Sequence, residues 1–124
     1  MGLELPVLNQ SRDTRESFAA ARELESQLRS TIQGEVHFDP ASRALYAVDA
    51  SNYRATPIGV VLPHDAADVE ATLAACRGLG APILSRGAGT SLSGNCCNVA
   101  VILDFSKYMR RLIYLDPATK TAIV

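Results

Sequence analysis

The chain contains no tryptophan, and only 6% of its 124 residues are aromatic. That scarcity excludes a base-stacking platform for single-stranded nucleic acid. An excess of one charge is missing too. Twelve Lys and Arg stand against 13 Asp and Glu, a formal net charge of −1, so no polyanion is attracted electrostatically. Cysteine is scarce, with Cys76, Cys96 and Cys97 alone. Their number is odd and the adjacent pair could close only as a strained vicinal bridge, so no disulfide framework is expected. The four-ligand spacing of a structural zinc site is also absent, and no metal is expected. Reduced thiols fit a cytoplasmic setting. No run approaches the roughly 20 apolar residues that span a bilayer. With Glu4 in place of a basic-then-apolar leader, no signal peptide is expected. What is present, 48% hydrophobic and 20% charged residues, belongs to a globular chain, of one domain or part of one.

Residues 1–11 read as a polar lead-in. A helix is expected from Asp13, which can cap with Glu16 three residues on. Phe18, Ala21, Leu24, Leu28 and Ile32 form its apolar stripe, and Gly34 ends it. His37–Arg43 reads as a turn leading to a short helix over Ala44–Val48, and Asp49–Pro57 as a loop. The second half has a strand–helix–strand rhythm. Gly59–Pro63 is a short apolar strand. Asp65 caps a helix whose apolar stripe is Val69, Leu73, Cys76 and Leu79, closed by Gly78 and Gly80. Strands are expected over Ala81–Leu84, Val99–Leu103, Leu112–Leu115 and Thr121–Val124, the last two joined by an Asp116-Pro117 turn. The final apolar run is expected equally of a terminal strand and of a truncation.

The loop Ser85–Asn95 stands between two of these strands, where α/β domains tend to bind ligands. Its glycines permit positive φ and close approach of a ligand. Successive N–H groups can form an anion nest, to which Thr90, Ser91 and Ser93 add hydroxyls and Arg86 the only charge. Spacing excludes the better-known phosphate and nucleophile motifs. Leu92 stands where a Rossmann fingerprint needs its third Gly, and Asn95 where a Walker A loop needs Lys. Ser93 takes the last Gly position of a nucleophile elbow. On pattern alone, a phosphate site and a purely structural Gly-rich turn both remain open.

A resemblance narrows the choice. Tyr46–Tyr53, Pro57–Pro63, Pro82–Asn95 and Asp104–Tyr108, four separated blocks in order, resemble the N-terminal part of the FAD-binding domain of the PCMH-type, vanillyl-alcohol oxidase superfamily. More narrowly, residues 36–124 are similar to the D-lactate dehydrogenase, glycolate oxidase and D-2-hydroxyglutarate dehydrogenase group, which includes forms fused to an iron–sulfur domain. The resemblance implies an α+β fold: the N-terminal half of a PCMH-type domain, helices packed on a small mixed or parallel sheet, incomplete. It implies a lead-in and helix over 1–34 and a partial FAD-binding domain over 35–124. Arg86, Gly87, Ala88, Gly89, Thr90 and Ser91 match the family's pyrophosphate loop, and Gly94 and Asn95 its far end. The family commonly has Gly at the Ala88 position; a positive φ there would cost alanine about 1 kcal/mol. Asn95 replaces a frequent Gln or Gly. Thr90 stands where some members carry a His bonded to the flavin, which implies non-covalent FAD.

The remaining candidates read mainly as structural. His37 and His64 are solvated or capping residues, and Cys96 and Cys97 are small packing residues beside the loop. Asp49 and Tyr53 serve either a cofactor contact or loop-fixing hydrogen bonds. Arg110 and Arg111 beside Lys107 form a small basic cluster at a solvated helix end. No catalytic residue is expected. In the resembling enzymes the hydroxy acid is bound by later parts of the chain, so the implied parent reaction is oxidation of a D-2-hydroxy acid. Its electrons would pass to an iron–sulfur, cytochrome or quinone acceptor. Two alternatives from other classes are a stand-alone flavin-binding module and a non-catalytic fragment.

Overall fold

The computed structural model of the chain describes residues 13–124, with side chains from residue 20 onward. The elements in order are α1 (Asp13–Thr31), β1 (Glu35–His37), α2 (Pro40–Leu45), β2 (Gly59–Leu62), α3 (Ala66–Gly78), β3 (Ile83–Arg86), β4 (Val101–Asp104), β5 (Tyr114–Asp116) and β6 (Thr121–Ile123). Four strands form one sheet in the order β1-β2-β4-β3, and β5-β6 is a separate two-stranded sheet. Strand β1 runs antiparallel to β2, while β2 and β3 each run parallel to β4. The fold is therefore α+β, with helices on a small mixed sheet, as expected.

The two central strands explain themselves. Val60-Val61-Leu62 and Val101-Ile102-Leu103 are buried throughout, and strands covered on both faces read as continuous apolar runs rather than alternating ones. Alternate side chains still go to opposite faces. Val61, Val101 and Leu103 join Val36 under α1 and α3, where Leu24, Leu28, Ala75 and Cys76 meet them. Val60, Leu62 and Ile102 face the other way, against Tyr46, Leu84 and Tyr108. The register pairs Val60 and Leu84 with Ile102, and Val61 with Leu103.

Asp68 joins the helix layer to the sheet. It is 4% exposed, and its carboxylate accepts from the N–H groups of Gln33 (2.9 Å), Gly34 (2.8 Å) and His64 (2.8 Å). Burial raises its pKa, but the three amide donors outweigh burial and hold it below the ordinary carboxylate value. Gly34 is required by close approach, because a Cβ there would run into the Leu62 carbonyl. At the sheet edge the Glu35 carboxylate is bound by Lys107, by the Tyr108 hydroxyl at 2.5 Å and by His37 Nε2 at 3.0 Å. Those partners, Lys107 first, lower its pKa to about 2.

Several expectations need correction. The short helix lies over Pro40–Leu45 instead of Ala44–Val48, because Asp39 caps it through the Ser42 N–H (2.9 Å) and Pro40 takes the first turn, a favourable start pair. Strand β1 was not foreseen, being three residues with one buried side chain. On α3, Asp65 caps as expected by accepting from Asp68 N–H. Leu73 of the expected stripe is 46% exposed, however, while Asp68 and Thr72 are buried. The Thr72 hydroxyl donates to the Asp68 carbonyl at 2.7 Å, so hydrogen-bonded polar groups occupy that face. Strand β3 begins two residues later than expected and takes Ser85 and Arg86 out of the loop. Residues 106–108 form a turn, so Arg110 and Arg111 do not close a helix. His64 is exposed, in keeping with a solvated residue, and its ring centroid lies 5.4 Å from that of Tyr108. The lead-in over 1–11, capping by Asp13 and Glu16, and the placing of Phe18 fall outside the described residues and side chains.

Removing the Asp68 carboxylate strands three amides, each worth about 1–3 kcal/mol when buried without a partner. Asp68→Ala is therefore expected to cost about 3 kcal/mol or more in urea unfolding. For Glu35, whose folded pKa lies below its unfolded value, stabilisation is full above about 4.5 and is lost as pH falls towards about 2. Glu35→Gln should thus melt lower than the parent chain at pH 7, and the gap should narrow below pH 4.5. A gap constant with pH would exclude the carboxylate as its source.

Candidate functional site

The loop after β3 is tied down at both ends and open between them. The Arg86 carbonyl still belongs to the sheet, accepting from Phe105 N–H at 3.0 Å. Beyond it, Gly89 has φ +71° and Gly94 φ +76°, the left-handed region that glycine enters without strain. Ala88 is not among the positive-φ residues, so alanine carries no backbone strain at the position where glycine is common. Gly94 also admits the Tyr53 ring, whose Cδ2 would lie 2.7 Å from a Cβ placed there.

Accounting for the backbone N–H groups decides what this loop can do. Those of Ser93 and Asn95 donate to Ser91 Oγ, at 3.3 and 3.2 Å. The N–H of Cys96 donates to Asp49 Oδ2 at 3.1 Å, and that of Cys97 to the Gly94 carbonyl at 3.4 Å. The N–H groups of Gly87, Ala88, Gly89, Thr90, Ser91, Leu92 and Gly94 have no acceptor among the described residues. Gly87, Ala88, Thr90, Leu92, Ser93 and Asn95 are exposed. Six successive amides, Gly87 to Leu92, are thus available to an anion, which is the provision a phosphate-binding backbone makes.

Arg86 does not extend into solvent. Its Nη1 donates to the carbonyls of Cys96 (2.9 Å) and Tyr46 (3.4 Å), and its guanidinium lies 5.2 Å from the centre of the Tyr46 ring. Tyr46 in turn donates to Asp104 Oδ2 at 2.5 Å. Burial first, then the Asp104 carboxylate, pushes the Tyr46 phenol up to about 12. Asp49 Oδ1 accepts from both the N–H (2.9 Å) and the hydroxyl (2.5 Å) of Ser51. Of the two roles left open for Asp49, its hydrogen bonds are those of a loop-fixing group.

Cys97 is buried, with Sγ 3.6 Å from the Gly94 carbonyl, and Cys76 is buried in the core. Sequence reasoning missed Tyr46 and Asp104 as supports of the loop. The available signal was a carboxylate ending an apolar run, since a buried charge requires a partner.

The FAD binding domain family model matches residues 57–124, a span that contains the whole loop. The chain belongs to that family. This FAD binding domain is similar to the glycolate oxidase subunit GlcD of Bacillus subtilis (strain 168), 32% identical over 98 residues, covering 75% of this chain and 21% of the relative. It is also similar to the D-2-hydroxyglutarate dehydrogenase of Escherichia coli (strain K12), 35% identical over 99 residues, 77% of this chain and 9% of the relative. The chain spans no more than 21% of the length of either relative.

Among solved structures it resembles 4-ethylphenol oxidase from Gulosibacter chungangensis, with a TM-score of 0.67 and 21% identity, over 84% of this chain and 21% of that one. It also resembles alkyldihydroxyacetonephosphate synthase, with a TM-score of 0.67 and 18% identity, over 82% of this chain and 23% of that one. These likenesses establish the expected PCMH-type fold over part of that domain. In the FAD binding domain, the unspent amides and the two left-handed glycines fit a diphosphate group.

The two glycine environments predict a contrast. Gly94→Ala places a Cβ against Tyr53 at positive φ and should cost about 1–2 kcal/mol in urea unfolding. Gly87→Ala, with nothing within 4 Å of its new Cβ, should stay within about 0.5 kcal/mol of the parent chain.

Proposed function

We propose that this chain binds FAD non-covalently through the segment comprising Arg86, Gly87, Ala88, Gly89, Thr90, Ser91, Gly94 and Asn95, with the loop backbone holding the diphosphate and Arg86 supporting that backbone from behind. In this reading the chain is part of an FAD-dependent oxidoreductase that oxidises a D-2-hydroxy acid, lactate-like in size. Residues 35–124 form a partial FAD-binding domain, and the helix of the preceding segment covers its sheet. The observation that carries the reading is the run of six amides from Gly87 to Leu92 without acceptors among the described residues. Family membership supplies the identity of the dinucleotide.

When bound, the flavin ring supplies the hydride-accepting chemistry, and the protein supplies placement and electrostatics. This chain's contribution is placement. Gly89 and Gly94 turn the backbone so that a ligand can approach it, and Ser91 Oγ holds the Ser93 and Asn95 amides in the returning turn. Thr90 offers no imidazole for a covalent link, and Arg86 to Asn95 contain no His, Cys or Tyr, which supports non-covalent retention. Electron transfer to an iron–sulfur, cytochrome or quinone acceptor fits the group to which the glycolate oxidase and D-2-hydroxyglutarate dehydrogenase relatives belong. No helix among the described residues is long and apolar enough to cross a membrane, and the three free thiols fit a cytoplasmic setting.

Titration with FAD, ADP and riboflavin, followed by flavin fluorescence and calorimetry, tests the diphosphate assignment. FAD and ADP are expected to bind, and riboflavin, which has no phosphate, at least about tenfold more weakly, equivalent to 1.4 kcal/mol. Gly89→Val should abolish FAD retention, because its side chain would enter the space of the Arg86 guanidinium. Riboflavin binding as tightly as FAD, or undiminished retention by Gly89→Val, would refute the loop assignment.

A further inference from the structure

One residue of the loop is held through the peptide groups on both its sides by ions of opposite charge. The Cys96 N–H donates to Asp49 Oδ2 at 3.1 Å, and the Cys96 carbonyl accepts from Arg86 Nη1 at 2.9 Å. A third tie comes from the residue after Asp49, since Ala50 N–H donates to the Gly89 carbonyl at 3.1 Å. The Asp49–Ser51 turn therefore holds the loop at Gly89, within the exposed stretch, and again at Cys96, beyond it. We propose that Asp49 and Arg86 are positioning residues for the diphosphate loop, clasping the backbone of Cys96 on both sides so that the amides of Gly87–Leu92 stay unspent and presented. This rests on the FAD reading above and deepens it.

The geometry gives Arg86 a place behind the loop rather than in front of it. A Cβ on Gly89 would lie 2.5 Å from Arg86 Nη2 and 2.9 Å from its Cζ, so the guanidinium sits directly against the Gly89 backbone. The Tyr46 ring flanks it, and the Tyr46 hydroxyl is anchored on the buried Asp104 carboxylate. Gly89 is thus glycine for two reasons, its left-handed φ and the charge packed against it. Lysine is not an equivalent, because an ammonium lacks the flat guanidinium face that lies against the Tyr46 ring.

Asp49 is equally committed. One carboxylate oxygen holds the Ser51 amide and hydroxyl, and the other the Cys96 amide. A carboxylate beside an anion site would ordinarily repel the ligand. Here its acceptor capacity is directed into its own turn and the loop base, and the Arg86 charge offsets it. Without the clasp, the loop's internal closure would be the Ser91 Oγ bonds and the Cys97–Gly94 contacts.

Amide hydrogen exchange of the full chain without ligand, paired with FAD titration, tests the proposal. Ala50 and Cys97 are the reporters, because their N–H groups bond to loop carbonyls and to neither mutated side chain. Asp49→Ala and Arg86→Lys should each speed exchange at Ala50 and Cys97 about tenfold or more while Val61 and Ile102 keep their protection. Each should weaken FAD binding about tenfold, and the double variant far less than a hundredfold, since both act on one residue. Asp49→Asn, which keeps an oxygen for the Cys96 N–H, should recover most of the binding.

Unchanged exchange at Ala50 and Cys97 in both single variants overturns the proposal. So does loss of protection throughout the sheet, which would make these groups supports of the fold at large. FAD binding that stays at the parent value while the reporters exchange faster overturns it too, by separating loop order from affinity. If the parent chain binds FAD no better than riboflavin, and the variants still release Ala50 and Cys97, the FAD reading fails while the clasp on the loop stands.

Discussion

Burial of the two central strands on both faces is the constraint from which the rest of this structure follows. Strands β2 and β4 lie side by side with Val60, Val61, Val101 and Ile102 wholly inaccessible. At roughly 1.5–3 kcal/mol per buried aliphatic side chain, they form the structure's main apolar anchor. One face requires α1 and α3; the other requires the Tyr46 and Tyr108 rings. Tyr46 is then fixed where Arg86, arriving at the end of β3, can stack on it. The glycine-rich loop after β3 inherits its position from that chain of contacts.

The parts of this arrangement that could be read from the residues are those where a single physical effect dominates. Val101-Ile102-Leu103 is too short and too branched for a helix, and the Asp65 cap satisfies an amide three residues on. The loop announced itself through glycine and hydroxyl residues. Where two effects compete, the reading failed. Leu73 fits the apolar stripe of α3 by spacing, yet Asp68 and Thr72 take the buried face because the α1–β1 turn has amides that need an acceptor. Strand β1 has three residues, and its pairing with β2 supplies what its composition does not.

The same holds at the site. That the glycines would be needed was legible; which of them adopt positive φ was not, and Ala88 turns out to sit in ordinary backbone between two glycines. The inward turn of Arg86 was also hidden, since an arginine at the mouth of a phosphate loop reads as a ligand. Its real surroundings come from Tyr46 and Cys96, which lie 40 and 10 residues away in sequence. A guanidinium carries several donors on a flat frame, and here that frame serves the protein's own carbonyls. The loop amides from Gly87 to Leu92 remain without acceptors among the described residues.

The Asp68 carboxylate has a consequence for how this protein is made. It serves the amides of Gln33 and Gly34, which precede it by 35 and 34 residues. On the ribosome α1 is translated first, and its C-terminal turn must wait for an acceptor not yet polymerised. At about 5–20 residues per second that wait is roughly 2–7 s. During that interval the apolar stripe of α1 has neither its sheet nor its tether, so the turn after α1 closes only once α3 has emerged.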